Sequence, residues 1–405
     1  MRILFLSNLF PPDSEGGLEL SAYEAATGLA ARGYDVEVLT TRPRGGARQA
    51  EVASFPVHRL LEYGFHASHY GYDPRSIPRR IRDLLVNERV GKQNVRIVEA
   101  FVAQHQFDVV SIWGVAGVSC AVALPLAEHG VPVVWNAGDF FLRDRLRPHL
   151  LNRVLFAFFC RRWMRIERSV DPKRILVNSD YTRNGFIARG FPAERMAITY
   201  RGVPLELLSA PKETRDSPPT IAMACRLTQQ KGVEVALRGL AEIRRRDPNL
   251  GVRLLIAGVG EPAYVRGLED LARSLGIAEA VSLLGYKSHF EVISLMRRAS
   301  IVLGATLSRE YFGRVNVEAM ACGTPLLVSA TENVREFGES GVHLLTYPPG
   351  DAPGLAEGAL RILRDPGLAE HLAAHAKRRV AERFLQERIV EQMEGHLLDA
   401  VRAAA

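Results

Sequence analysis

Cysteine is scarce in this chain of 405 residues, and the four present, Cys120, Cys160, Cys225 and Cys322, are scattered. That excludes a disulfide framework and the close spacing of a cysteine metal site, and it fits a reducing, cytoplasmic setting. Long apolar runs are missing too. The nearest approach is Val109 to Ala127, 19 residues without a charge, close to the ~20 that a bilayer requires. Its start is β-rich, Gly114 and Gly117 interrupt it and Pro125 sits near its end, so it reads as strand, turn and buried helix. The apolar stretch from Ile3 to Phe10 runs into Pro11, Pro12, Asp13 and Glu15 rather than a small-residue cleavage site, and reads as a buried strand. There is no internal repeat, no low-complexity tract and no cluster with metal-ligand spacing. No G-x-G-x-x-G follows the first strand, which removes the main support for a dinucleotide oxidoreductase.

The composition is otherwise that of an ordinary soluble protein, with 47% hydrophobic and 24% charged residues. At roughly 100–200 residues per domain, it suggests two or three domains with cores of their own. The distribution of charge is more informative than the total of +7. Residues 1–205 hold 27 basic and 20 acidic side chains, whereas residues 206–405 hold 25 of each, so the excess belongs to the first half. Within it, Arg143 to Arg168 carries eight arginines against Asp144 and Glu167.

Short apolar runs alternate with helix-period segments throughout, the pattern of βαβ units and parallel sheets covered on both faces. The first half offers strands at Arg2–Ser7, Val36–Thr40, Val109–Trp113, Pro132–Trp135 and Arg174–Asn178. The second restarts with Thr220–Ala224, Val252–Ala257, Ala280–Leu284, Ile301–Gly304 and Pro325–Ser329. The fold class is therefore α/β, with two Rossmann-like doubly wound domains. The polar, proline-rich stretch from Pro204 to Pro219 marks the boundary, giving domains of 1–205 and 206–385. The helix-prone stretch from Ala369 to Val401 has Ile389, Met393 and Leu397 on one face, and its last part, 386–405, is expected to return to the first domain.

Ligands of open α/β sheets bind beyond the carboxyl ends of the strands, so the residues after each strand carry the chemistry. After the first strand, Gly16 and Gly17 open a helix whose free N–H groups favour an anion, although a double glycine there is also a plain turn. In the second half, Arg226 follows a strand and Lys231 precedes a helix, a pair of cations able to clamp a diphosphate. Gly258 lies in a second glycine turn on the same edge. Ser308 to Pro325 reads SREYFGRVNVEAMACGTP, which places Glu310 before Gly313 and Glu318 within a short helix. Two such carboxylates can divide labour, one accepting from sugar hydroxyls and the other from a ribose diol, while the helix start holds phosphate.

These segments resemble family 4 glycosyltransferases of the GT-B fold. The similarity runs in order through FLSNLFPPDSEGG, ILVNSDYTRN, ITYRGV, ACRLTQQKG, LLIAGVGE and EYFGRVNVEAMACGTP. It implies two domains facing across a cleft, the second binding a nucleotide-sugar donor (UDP- or GDP-sugar) and the first an acceptor. It implies that Arg226 and Lys231 hold the diphosphate and that Glu318 holds the ribose. Glu310, with the backbone of Phe312, Gly313, Arg314 and Val315, would hold the donor sugar, while Gly16 and Gly17 close on the donor from the first domain. Transfer would retain the anomeric configuration without a bound metal or other cofactor.

Two departures stand out. Many relatives have a histidine after the strand at Pro132–Trp135, where this chain has Asn136-Ala137-Gly138-Asp139. Asp139 can orient an acceptor hydroxyl or accept its proton, or it can cap the next helix. Arg201-Gly202-Val203-Pro204 also lacks the asparagine and aspartate common in relatives. The segment 143–168 supports two readings, a core helix with solvated ends or a peripheral contact with an anionic membrane. The second would place the protein at the inner face of the membrane and its acceptor on a lipid-linked or cell-envelope glycan. Nothing points to nucleic acid, and the oligomeric state stays open. Competing with sugar transfer are a GT-B-like nucleotide-sugar epimerase and a glycosyltransferase-like binding subunit that has lost catalysis.

Overall fold

The computed structural model describes residues 1–13, 17–42, 54–64, 77–140, 174–211, 213–308 and 310–404. It divides into two compact units, one formed by Met1–Arg201 with Glu387–Ala405 and the other by Gly202–Gln386. The basic segment 143–168 and Gly16 lie outside the described residues.

The first unit comprises β1 (Arg2–Ser7), α1 (Gly17–Ala31), β2 (Asp35–Thr41), β3 (Val57–Leu61), α2 (Ile77–Gln104), β4 (Val109–Trp113), α3 (Ala123–Glu128), β5 (Val133–Ala137), β6 (Arg174–Val177), α4 (Asp180–Ile187) and β7 (Met196–Ile198). Among the described residues the strands form one parallel sheet in the order β3-β2-β1-β4-β5-β6-β7. Alternation along the strands divides the core between two faces. Leu4, Leu6, Val110 and Ile112 pack with Val95, Val98 and Phe101 of α2. Ile3, Phe5, Val36 and Val109 pack with Ala22, Ala26 and Leu29 of α1. The uncharged run Val109–Ala127 is thus strand β4, a turn and the start of buried α3. No helix of the described residues is long and apolar enough to cross a membrane.

The second unit comprises α5 (Leu205–Ser209), β8 (Thr220–Ala224), α6 (Val233–Arg246), β9 (Arg253–Ala257), α7 (Pro262–Ser274), β10 (Val281–Leu283), α8 (His289–Arg298), β11 (Ile301–Gly304), α9 (Arg314–Cys322), β12 (Leu326–Ser329), α10 (Val334–Phe337), β13 (Leu345–Tyr347), α11 (Ala352–Arg364) and α12 (Pro366–Arg383). Its parallel sheet runs β10-β9-β8-β11-β12-β13, with Val302 beside Ala222 on one side and Leu326 on the other. Strand order reverses between β8 and β11, the kind of switch point beside which ligands of open α/β sheets bind.

The helix-prone stretch near the end of the chain is two helices rather than one. Between α12 and α13 (Gln386–Arg402), Phe384 turns into the second unit against Phe312 and Phe337. Val203 N–H donates to Phe384 O at 2.8 Å and Gln386 N–H to Val203 O at 3.0 Å, so the two linker passages lie side by side. From Glu387 onward, α13 belongs to the first unit. Val390, Met393, Leu397 and Ala400 complete the core face that α1 covers, each large side chain contributing roughly 1.5–3 kcal/mol by burial. Tyr34 Oη donates to Glu394 at 2.5 Å, and Arg32 pairs with the same carboxylate at 2.6 Å.

Candidate functional site

The carboxyl edge of the second sheet assembles most of the residues singled out from the sequence. Cys225 extends β8 by donating its N–H to Ala257 O at 3.0 Å, and Leu227 N–H donates to Val259 O at 2.8 Å. These bonds bring Arg226, which is exposed, onto the loop after β8 beside the Gly258 turn. Lys231 ends a short 3-10 turn before α6. Leu307 N–H donates to Gln230 O at 2.9 Å, which draws the loop after β11 against it.

Lys231 and Glu310 meet directly. The ammonium lies 2.6 Å from Glu310 Oε1, and Thr306 Oγ1 donates to Glu310 Oε2 at 2.8 Å. Both members of the pair are about one-fifth exposed, at 21% and 22%, so this charge pair remains within reach of a ligand. Glu318 is held more deeply, only 3% exposed. Its Oε1 accepts from His289 Nε2 and from Arg314 Nε, each at 2.8 Å. Burial alone would push this carboxyl up; the hydrogen bond from His289 and the charge of Arg314 outweigh it and hold the group below its ordinary value. It is therefore a carboxylate at neutral pH. Burial pushes the neighbouring Cys225 thiol up to about 12, which leaves it protonated and poorly nucleophilic.

The helix that carries Glu318, α9, is preceded by a left-handed residue, Gly313, with φ of +83° and no side-chain cap. The first N–H groups of α9, at Arg314 and Val315, consequently start a helix without a capping side chain, the arrangement that favours an anion. The Phe312 ring turns away, buried against Phe337 at 5.2 Å, and its carbonyl accepts from Asn333 Nδ2 at 2.9 Å. At Gly258 the requirement for glycine has a local cause: φ is +148°, and a Cβ there would lie 1.8 Å from Cys225 O. Its N–H is already given to Gly285 O at 2.8 Å.

Gly17 and Asp139 belong to the first unit. Gly17 is the exposed first residue of α1, and its carbonyl accepts from Ser21 Oγ at 2.7 Å. Asp139 follows β5 and is half-buried; the segment it would cap begins outside the described residues. Gly138 O beside it accepts from Asn178 Nδ2 at 3.1 Å. Arg201, buried, lies over the Trp113 ring at 4.9 Å with its guanidinium against Gly138.

Two family models match the chain: glycosyltransferase family 4 over residues 15–207, and glycosyl transferases group 1 over residues 206–379. An uncharacterized glycosyltransferase of Methanocaldococcus jannaschii is 32% identical over 412 residues, covering 97% of this chain and 96% of its own. The chain belongs to glycosyltransferase family 4. Glycogen synthase of Mycobacterium tuberculosis is 27% identical over 407 residues, spanning 95% of this chain and 91% of that one. Among solved structures, HepE of Anabaena in complex with UDP and glucose superposes with a TM-score of 0.70 at 22% identity, covering 98% of both chains. Sucrose-phosphate synthase from Thermosynechococcus elongatus gives 0.73 at 21% identity over 100% of both. The fold of this glycosyltransferase is GT-B.

Three side chains that shape the site in this glycosyltransferase escaped the sequence reading: His289, Thr306 and Asn333. The capping box Ser288-x-x-Glu291 was a visible signal for a helix starting at His289. Its partner Glu318 lies 29 residues away, and no local pattern reports that contact.

Proposed function

We propose that this glycosyltransferase is a retaining hexosyltransferase that moves a sugar from a UDP- or GDP-sugar to an acceptor hydroxyl. What carries this reading is the pairing of Lys231 with Glu310 at the switch point between β8 and β11, with the charged, buried Glu318 on the adjoining helix. A donor there presents its diphosphate to Arg226, Lys231 and the start of α9, its ribose diol to Glu318 and its sugar to Glu310. The UDP and glucose bound by HepE favour a nucleotide-sugar of this class. In the reaction the bond from the anomeric carbon to the diphosphate breaks, and the acceptor oxygen bonds to that carbon on the same face. The cations neutralise charge that develops on the leaving diphosphate, which lowers the barrier without a resident metal. Asp139 is assigned the acceptor hydroxyl, which it orients or deprotonates.

The basic first half suits an anionic acceptor, a lipid-linked or cell-envelope glycan, and the segment 143–168 is proposed as its peripheral contact with the membrane. The test is transfer and hydrolysis over a panel of nucleotide-sugars, with UDP and GDP as competitors. Glycoside product with retained configuration is expected. Free epimerised nucleotide-sugar would replace transfer by epimerisation, and tight binding without turnover on any acceptor class would make the protein a binding subunit.

A further inference from the structure

We propose that His289 is a positioning residue of the nucleotide site, one that fixes the Glu318 carboxylate for the ribose diol and ties it to the loop after β10. This rests on the assignment of Glu318 to the ribose. The two donors on Glu318 are not equivalent. Arg314 stands one turn earlier on α9, so its bond to Glu318 is made within the helix that carries the carboxylate. His289 comes from a different element, the first residue of α8, and its bond ties Glu318 to the chain beyond α9.

His289 is itself held firmly. Ser288 N–H donates to Glu291 Oε2 at 2.8 Å, and Glu291 N–H returns a bond to Ser288 Oγ at 3.3 Å. This reciprocal cap fixes the helix start. The loop ahead of it is pinned at its other end, with Leu284 N–H on Ile256 O and Gly258 N–H on Gly285 O, both at 2.8 Å. The bond from Nε2 to Glu318 therefore joins a loop with two anchored ends to a carboxylate on a separate helix. With His289 and Arg314 both on Oε1, the lone pairs of that oxygen are occupied, and a diol donates to Oε2. Losing His289 leaves Oε1 with Arg314 alone and removes the tie to α8, which lets the carboxylate shift and weakens recognition of the hydroxyls while leaving the diphosphate cations untouched.

The test measures binding of UDP, GDP and their 2′,3′-dideoxy forms to the wild type, His289→Ala, His289→Gln and Glu318→Ala by calorimetry. His289→Ala is expected to weaken the ribonucleotide about five- to tenfold, with the dideoxy form changed by less than about twofold. His289→Gln, which keeps a side-chain N–H donor, is expected to recover most of the loss. Equal weakening of both forms by His289→Ala, or no weakening, overturns the proposal. If Glu318→Ala keeps the full ribose preference, the assignment of Glu318 fails and that of His289 falls with it. If Glu318→Ala abolishes the preference and His289→Ala retains it, the failure belongs to His289 alone.

Discussion

Lys231 Nζ stands 2.6 Å from Glu310 Oε1, so the cation assigned to the diphosphate and the carboxylate assigned to the sugar are partners before any donor arrives. Thr306 occupies the second carboxylate oxygen at 2.8 Å, which leaves Glu310 oriented when Lys231 turns to a phosphate. Glu310→Gln keeps the shape and removes the charge. Its turnover is expected to fall about 10²-fold while nucleotide affinity changes by no more than about threefold, because Glu310 is assigned to the sugar, whose charge changes in the transition state, and not to the nucleotide. Lys231→Ala is expected to weaken UDP or GDP more than the matching monophosphate. Steady-state kinetics with direct nucleotide binding checks both, and wild-type behaviour in the two variants would remove these residues from the site.

Glu318 sets an acid dependence whose sign follows from its depressed pKa. A carboxyl lowered by folding contributes stability that is present above its unfolded value, about 4.3, and is lost as pH falls through the folded value. The contribution of the Glu318 carboxyl's own titration to the stability difference between wild type and Glu318→Gln is therefore expected to be fully present above about pH 5. Below about 4 it should shrink, as the wild-type carboxyl takes up its proton. Denaturant unfolding at a series of pH values measures the difference; a gap that widens on acidification would mean that burial, not His289 and Arg314, controls the group.

Much of this organisation was legible in the residues, for reasons that differ by element. Central strands such as β4 and β8 are buried on both faces, so they stand out as short apolar runs between glycines and prolines. Three of the four edge strands do not. β3 carries His58 and Arg59 in its middle, and β7 and β13 are three residues long, too short for any period to show. The site divides in the same way. Glu310, Gly313 and Glu318 share one contiguous segment, and Arg226 and Lys231 another, so their spacing could be read directly. Thr306 and His289 act through side-chain contacts fixed only when loops from different strands meet, and Arg201 was noticed for departing from relatives without any sign that it packs on Trp113.

Gly258 illustrates a residue whose place in a glycine turn concealed a structural cause. A Cβ at this position would lie 1.8 Å from the backbone oxygen of Cys225, at a φ of +148°. Neither can relax cheaply, since the Cβ would meet a backbone oxygen in a loop pinned to Gly285. Gly258→Ala is expected to destabilise the protein by roughly 2–4 kcal/mol. Gly267→Ala, within α7 and with nothing near its Cβ, is expected to be neutral or stabilising by up to about 1 kcal/mol. Chemical denaturation of the pair tests this; equal effects would mean that the turn tolerates a side chain and that ligand contact accounts for the glycine.

The excess positive charge of the first half concentrates in Arg143 to Arg168, where seven of the eight arginines flank the largely apolar stretch Leu150 to Phe159 and Arg153 lies within it. An apolar stretch bracketed by cations binds an anionic leaflet through two additive terms, burial of the apolar side chains and about 1 kcal/mol for each basic residue near the surface. Sedimentation with liposomes is therefore expected to capture the protein on vesicles with anionic lipid, and far less on purely zwitterionic ones. Replacing Arg161, Arg162 and Arg165 with glutamine should reduce capture at least tenfold, the change expected for losing about three kcal/mol less screening. Raising the salt should have the same direction, because the Debye length falls from about 10 Å at 0.1 M to 3 Å at 1 M. Equal partitioning on both kinds of vesicle would return these arginines to an ordinary solvated surface and the segment to a core helix with solvated ends.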